Sequence, residues 1–440
     1  MCNFLAQGSS RLRSACHCTI SCGTMPSPAT NFSSCSRISE RRKPFVSLEG
    51  SLASGLQGLS KRHQKRAGGQ SPLSSSVKGG IMQTRRKFLT AAAGAAAAVF
   101  AAGHTAHGIQ RGSSTRRQVS IANRRIKVID AHGHFIIPEE ADLVRNTNLA
   151  GNITNNLNGP LVLGPSRLQA MDQQGIDVQA LSHQGGWWYG TDRDLARRLI
   201  RTQNEGLAKW CAANPDRFVG LASVALQHPD LAAEQLDEAM KSMGMRGVGI
   251  AGHVAGEIPS SPKYDPFWAK AQELGAFIFI HPAGGAENVV TSGALGGRGD
   301  LANIIGNPLE TTVFLSRLIF EGTLDRFPRL KICGAHAGGY LPSYLGRTDV
   351  ACDVRPGANC SNKKRPREYF KDQILVDSMI FSDEGLRHLV AEVGAGQIVY
   401  GTDMPYNWPV TVDLILEAKF LKDAEKEAVL GGTLARMLRI

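Results

Sequence analysis

From residue 127 to residue 403 the chain repeats one pattern: a short apolar run, a longer segment with helical periodicity, then another apolar run. The runs fall at 127–135, 178–183, 218–226, 247–253, 277–282, 331–336, 374–378 and 398–403. Each has the length of a strand rather than of an ordinary helix, and several are rich in Val, Ile and Phe. Helices are expected between most of them, at 192–213, 229–243, 265–274, 308–325 and 382–393. Strands separated by helices belong to a parallel sheet, because parallel neighbours need a crossover and the crossovers cover both faces. Eight such units over about 280 residues predict the α/β class and a (β/α)8 TIM barrel spanning 127–440. An open doubly wound sheet would use the same alternation. No Gly-x-Gly-x-x-Gly opens a first helix, however, so a dinucleotide site lacks its phosphate loop.

The net charge of +12 over 440 residues would suggest nucleic acid, but its distribution excludes that. Residues 1–81 carry +9 and residues 82–110 a further +3, so everything beyond is balanced. Residues 1–81 are rich in Ser, Gly and Arg, show no period and are expected to be disordered. The segment 82–110 reads Met-Gln-Thr-Arg-Arg-Lys-Phe-Leu followed by an Ala-rich run of about 14 residues. That is a secretory signal of the twin-arginine type, too short and too weakly apolar for a stable membrane span. Such signals stand at a protein's start, so Met82 is read as the natural initiator and 1–81 as an upstream mis-called start. The expected location is periplasmic or secreted, with the twin-arginine export machinery as a partner. Residues 111–126 form a basic linker. Cys352 and Cys360 flank a Pro/Gly-containing loop and would pair only in an oxidising compartment, whereas Cys16, Cys18 and Cys22 lack a second ligand pair at finger spacing.

The residues able to bind a metal fall at the carboxyl ends of the strands, where barrels build their sites. The first run ends Asp130-Ala131-His132-Gly133-His134. Period 2 places the two histidines on one face, about 7 Å apart along the strand. Alone, such a pair is better explained by packing or chance. The fifth run carries His281 one residue before its end, the sixth ends at His336 and the eighth at Asp403, so four strand ends converge on one mouth with metal-type side chains.

The arrangement resembles the amidohydrolase superfamily, and within it the aminocarboxymuconate-semialdehyde decarboxylase family of the amidohydrolase 2 group. Besides the strand ends, the resemblance lies in residues 167–182, in Ala335-His336-Ala337-Gly338-Gly339-Tyr340 through Arg347, and in Gly401-Thr402-Asp403-Met404-Pro405. It implies that His132, His134, His281 and Asp403 hold one divalent metal ion, zinc first and manganese second, with no nucleotide or organic cofactor. His336 would be the acid/base beside a metal-activated water, with Asp403 also counted among the catalytic groups. A neutral imidazole near its ordinary pKa of about 6.5 suits that task. Binuclear relatives need a bridging Lys or Glu from the fourth strand, which here ends Gly249-Ile250-Ala251-Gly252-His253, so one metal is expected.

Arg167 and Arg347 resemble positions that hold a substrate carboxylate, the second reaching in from a neighbouring subunit, which implies a homodimer; a surface ion pair is the other reading of Arg347. His183, Trp187 and Trp188 would line an aromatic-sized mouth or cover the rim. His253 would contact substrate or support a ligand. The implied activity is non-oxidative decarboxylation of an unsaturated or aromatic carboxylic acid. The same mononuclear site would serve hydrolysis of a lactone, C–C or C–N bond, or hydration. An exported, non-catalytic metal-binding barrel is the third reading.

Overall fold

The computed structural model describes residues 116–440, apart from 185–186, 285, 287–288 and 291–292. The tail 1–81, the twin-arginine segment 82–110 and residues 111–115 lie outside the described residues. Eight parallel strands follow one another in a single sheet: β1 (Ile129–Phe135), β2 (Val178–His183), β3 (Phe218–Ala222), β4 (Gly247–Ala251), β5 (Phe277–His281), β6 (Lys331–Gly334), β7 (Ile374–Asp377) and β8 (Ile398–Val399). Each strand pairs with its neighbour in sequence, the order of a singly wound barrel. The ends of the sheet meet where the Ala131 N–H donates to the Tyr400 carbonyl at 2.8 Å and Gly133 bridges Met404 in parallel. The fold is the expected TIM barrel.

Alternate residues of the strands fill its interior. Ile129, Ala131, Val178, Ala180, Val219, Leu221, Phe277 and Phe279 form one buried cluster, joined by Leu434 and Leu438 of the terminal helix Thr433–Leu438. Residues of opposite parity, such as Leu181, Val248, Ile278, Ile332 and Val376, pack in the layer under the helices. Burying each such side chain is worth about 1.5–3 kcal/mol. The long helix Arg193–Ala213 is started by Asp192, whose carboxylate accepts from the N–H groups of Asp194 at 3.0 Å and Leu195 at 2.9 Å. Ser382 caps Asp383–Val393 in the same way, accepting from the Gly385 N–H at 3.1 Å.

Three strands end sooner than the apolar runs suggest. β3 stops at Ala222, β6 at Gly334, and β8 has only two paired residues. The backbone turns out of the sheet at the strand ends: His336 and Ala337 have φ of 55° and 57°, and Asp403 has φ of 60°. Positive φ is sterically costly for residues with a Cβ and persists only where the surroundings enforce it. β1 also breaks strict alternation. Its register against β2 shifts between Asp130 and Gly133, a bulge of the kind that re-aims side chains. Ile129 and Ala131 face inward, and beyond the bulge so do His132 and His134. Gly133 faces outward, where a Cβ would lie 2.4 Å from the Gln179 side chain.

Residues 116–126 are folded rather than a free linker. Ser120–Ile121 and Arg124–Arg125 pair as an antiparallel ribbon. Arg116 and Arg125 reach Asp177 at 3.1 and 2.5 Å, tying the ribbon to the start of β2. Cys352 and Cys360 are joined by a disulfide, with Cα atoms 6.0 Å apart. Among the described residues no helix is long and apolar enough to cross a membrane.

Candidate active site

Five side chains meet at the mouth of the barrel. His132 Nε2 lies 2.9 Å from His134 Nε2 and 3.2 Å from Asp403 Oδ1, and His134 Nε2 lies 3.0 Å from the same oxygen. His336 Nε2 stands 3.9 Å from Asp403 Oδ2. One potential ligand atom each from His132, His281, His336 and Asp403 falls within a 4.8 Å sphere of mutual distances. The resemblance implied His134 in that set and His336 beside it; the geometry gathers all five. His132 Nδ1 is bonded to Asp377 Oδ2 at 2.7 Å, and His281 Nδ1 to the Pro282 carbonyl at 2.9 Å. Each ring therefore uses Nδ1 for support and turns Nε2 to the centre, the tautomer a metal-binding imidazole needs. Asp403 Oδ1 is buried without a hydrogen bond. Lone pairs this close, beside an unsatisfied buried carboxylate oxygen, require a cation among them. Three histidines and an aspartate thus make a site for a single divalent metal.

The electrostatics agree. Burial pushes the Asp403 carboxyl up, but the surrounding histidines, His132 foremost, hold it well below the usual carboxylate range. Burial lowers His132, and Asp403 with Asp377 reverses this, raising it to about 10. His134 is pulled down to about 4 by burial and by the charge on His132, and His281 falls well below 6.5 for the same reasons. One positive charge between two carboxylates is what this pocket prefers, and a proton on His132 meets that demand when no metal does. Metal binding at neutral pH therefore displaces a proton.

A network missed in the sequence holds these groups. Asp377, at the end of β7, is fully buried and accepts from the N–H groups of His336 at 3.1 Å, Ala337 at 2.8 Å and Met379 at 3.1 Å, besides the His132 ring. It thus enforces the left-handed turn that presents His336. Asp130 accepts from Gln179 at 2.7 Å, the Thr402 hydroxyl at 2.6 Å and the His132 N–H at 2.9 Å, locking β1 to the segment after β8. Gly401 lets that segment pass, since a Cβ there would lie 2.9 Å from Asp377 and 3.1 Å from His132. Glu310 accepts from the N–H groups of Ala283 at 2.6 Å and Ala286 at 3.1 Å, fixing the loop after β5. The available signal was a carboxylate closing an otherwise apolar run, as Asp377 does in 374–378.

Above the metal residues lies a cavity of about 510 Å³ with His281 and Asp403 at its base and Gln184, Asn303, Asn307, Tyr406 and Trp408 among its walls. A ring-sized ligand fits that volume.

The other expected contacts are placed differently. Arg167 is buried behind β1, donating to Gln179 Oε1 at 2.9 Å and to the His134 carbonyl at 2.7 Å, so it positions His134 and does not reach the cavity. His183 and Trp188 are also behind the mouth. Both bond to buried Glu140, at 2.7 and 2.9 Å, along with Gln203 at 2.7 Å. Trp187 is half-buried with its ring centroid 6.4 Å from that of Tyr189. His253 Nδ1 accepts from the Gly256 N–H at 2.9 Å, shaping its own turn. Arg347 is exposed on the helix Leu345–Val354 without an ion pair among the described residues.

The profile of the Amidohydrolase family matches residues 129–440. The 2-amino-3-carboxymuconate-6-semialdehyde decarboxylase of Dictyostelium discoideum is 31% identical over 283 residues, covering 62% of this chain and 75% of that one. The gamma-resorcylate decarboxylase of Rhodococcus jostii (strain RHA1) is 30% identical over 291 residues, covering 62% and 86%. The crystal structure of 5-carboxyvanillate decarboxylase from Novosphingobium aromaticivorans DSM 12444, complexed with manganese and 4-hydroxy-3-methoxy-5-nitrobenzoic acid, superposes with a TM-score of 0.63 at 25% identity, over 72% of this chain and 96% of that one. With a match running from the first barrel strand to the last residue, and a one-metal centre at the strand ends, this chain belongs to the amidohydrolase family of enzymes.

Proposed function

We propose that the barrel is a metal-dependent, non-oxidative decarboxylase of an aromatic carboxylic acid. The observation that carries this is a ring-sized cavity with His281 and Asp403 in its lining, and a partly exposed imidazole, His336, next to that Asp403. Decarboxylation breaks the bond between the ring and the carboxylate carbon. The electron pair stays on the ring carbon, a proton replaces CO2 there, and no oxidant is consumed. In this reading His132, His134, His281 and Asp403 hold the ion, which the donor set allows to be zinc or manganese. When bound, the ion supplies a fixed positive charge that attracts the substrate's oxygen atoms.

The chain's own groups do the rest. His336 carries the proton on Nε2, with Asp403 Oδ2 as its neighbour at 3.9 Å. Tyr406 and Trp408, in the cavity lining, offer the substrate ring aromatic faces and keep water from it. The working unit is a homodimer. Tyr344, Val350 and Val354 are 59%, 44% and 66% exposed around the helix that carries Arg347, and covering them with a second copy would remove apolar surface from water. Arg347 would then serve the reacting carboxylate of the partner's site. Export by the twin-arginine route belongs to the same reading, since Arg85-Arg86 opens the signal and a disulfide suits an oxidising compartment.

One preparation tests these points together. Recovered from the periplasmic fraction with its leader removed, the protein should be dimeric by light scattering, carry about one equivalent of zinc or manganese, and release CO2 from aromatic acids. Acid release from lactones or amides without CO2 would replace the decarboxylase by a hydrolase.

A further inference from the structure

The cavity wall also bears on which aromatic acid is taken. Among the described residues no Arg or Lys lines it, and apart from Asp403 its only carboxylate is Asp300, at the rim. Arg167 is committed behind β1 to Gln179 and to the His134 carbonyl. The metal, with Arg347 in the dimer, is matched to one substrate carboxylate; a second would meet amides and Asp300.

The amides are built in. Gln184 follows β2, and its N–H donates to the Phe135 carbonyl at 3.0 Å, which pins its backbone to the end of β1. Its side-chain amide is hydrogen-bonded to Tyr406, while its Oε1 is buried and has no donor. Asn303 lies in the π-helical turn Ala302–Gly306, and Asn307 opens the helix Asn307–Phe320 directly after it. The Tyr340 hydroxyl donates to the carbonyls of Ile304 at 3.4 Å and Ile305 at 3.3 Å, bracing this turn from outside. π turns recur where a helix must aim side chains at a site. Neither asparagine amide has a partner among the described residues. A buried acceptor such as Gln184 Oε1 needs a donor, which a hydroxyl or amine has and a carboxylate lacks.

Resting on the decarboxylase reading, we propose that Gln184, Asn303 and Asn307 are specificity residues: an uncharged donor–acceptor wall that selects arenes with one carboxylate and ring hydroxyl groups, and rejects a second carboxylate.

Steady-state CO2 release from 2,6-dihydroxybenzoate and from 5-carboxyvanillate tests it. Wild type should favour the mono-acid in kcat/KM by about 100-fold or more, since a dicarboxylate leaves one charge unpaired. Gln184→Leu should narrow that preference at least about tenfold through KM, and Asn303→Arg should move it toward the dicarboxylate. Metal content and circular dichroism establish that each variant is folded. Equal turnover of the two acids by wild type, or an unchanged ratio in Gln184→Leu, overturns the proposal. If the metal-loaded enzyme releases CO2 from neither acid, it is the decarboxylase reading that fails. The wall is then read by calorimetry: resorcinol should bind and isophthalate should not, and isophthalate binding as tightly as resorcinol overturns the wall as well.

Discussion

Gln in place of His336 leaves the barrel folded and its metal bound while kcat falls by about 10²–10⁴, a loss of about 3–5 kcal/mol of transition-state stabilisation. The expectation follows from where His336 sits. Its side chain is 15% exposed, whereas those of His132 and His134 are fully buried, so it alone of the three is open to proton exchange with solvent. Its Nε2 is also farther from Asp403 than either of theirs. Metal analysis by mass spectrometry beside the CO2 assay separates the roles. His132→Ala and Asp403→Ala should come out nearly metal-free, because His132 Nε2 and Asp403 Oδ1 stand at the centre of the cluster. Were His336→Gln to emerge without metal, His336 would be a ligand and not the proton carrier.

A second large effect is expected one layer behind. Asp377→Asn should weaken metal binding by about 10–100-fold, the usual cost of removing a carboxylate that supports a ligating imidazole. It should lower kcat too, because the same side chain holds the His336 turn. Oδ2 takes the His132 ring and the His336 N–H, while Oδ1 takes the N–H groups of Ala337 and Met379. An amide has one oxygen, so either flip sets its NH2 against two buried donors. Each unsatisfied donor costs about 1–3 kcal/mol. Chelator competition and calorimetry would measure both losses. Wild-type metal affinity in Asp377→Asn would remove the residue from the support of His132.

The barrel and the metal cluster were legible because both follow from local rules: apolar runs mark strands, and a barrel places its chemistry where strands end. His132, His134, His281, His336 and Asp403 needed no more than that. Asp377 obeys the same strand-end rule and was passed over, since its value lies in backbone N–H groups some forty residues away that no local pattern announces. Asp130 was inside the opening motif yet had no role until Thr402 and Gln179 came beside it. Arg167 was misplaced for a related reason. Its helix, Pro165–Gln174, is only weakly amphipathic in sequence, and what turns the guanidinium inward is Gln179, a polar residue on the outer face of β2. The early end of β6 goes with the positive φ of His336, which tertiary bonds impose against residue preference, and that of β8 with the Tyr400 N–H, which donates to the Val429 carbonyl.

The bulge in β1 makes the His-x-His pair untransferable as a sequence motif. In a regular strand, residues of even number here would all point away from the barrel axis, and His132 and His134 would share the outward face with Asp130. The single slipped residue instead divides the segment: Asp130 is left outside as a fastener, and the two histidines turn in toward the metal. A designer grafting Asp-Ala-His-Gly-His onto an unbulged barrel strand would therefore obtain either the fastener or the ligands on their proper side. The portable unit is the motif together with its backbone irregularity and the Thr402–Gln179 clasp that keeps it in place.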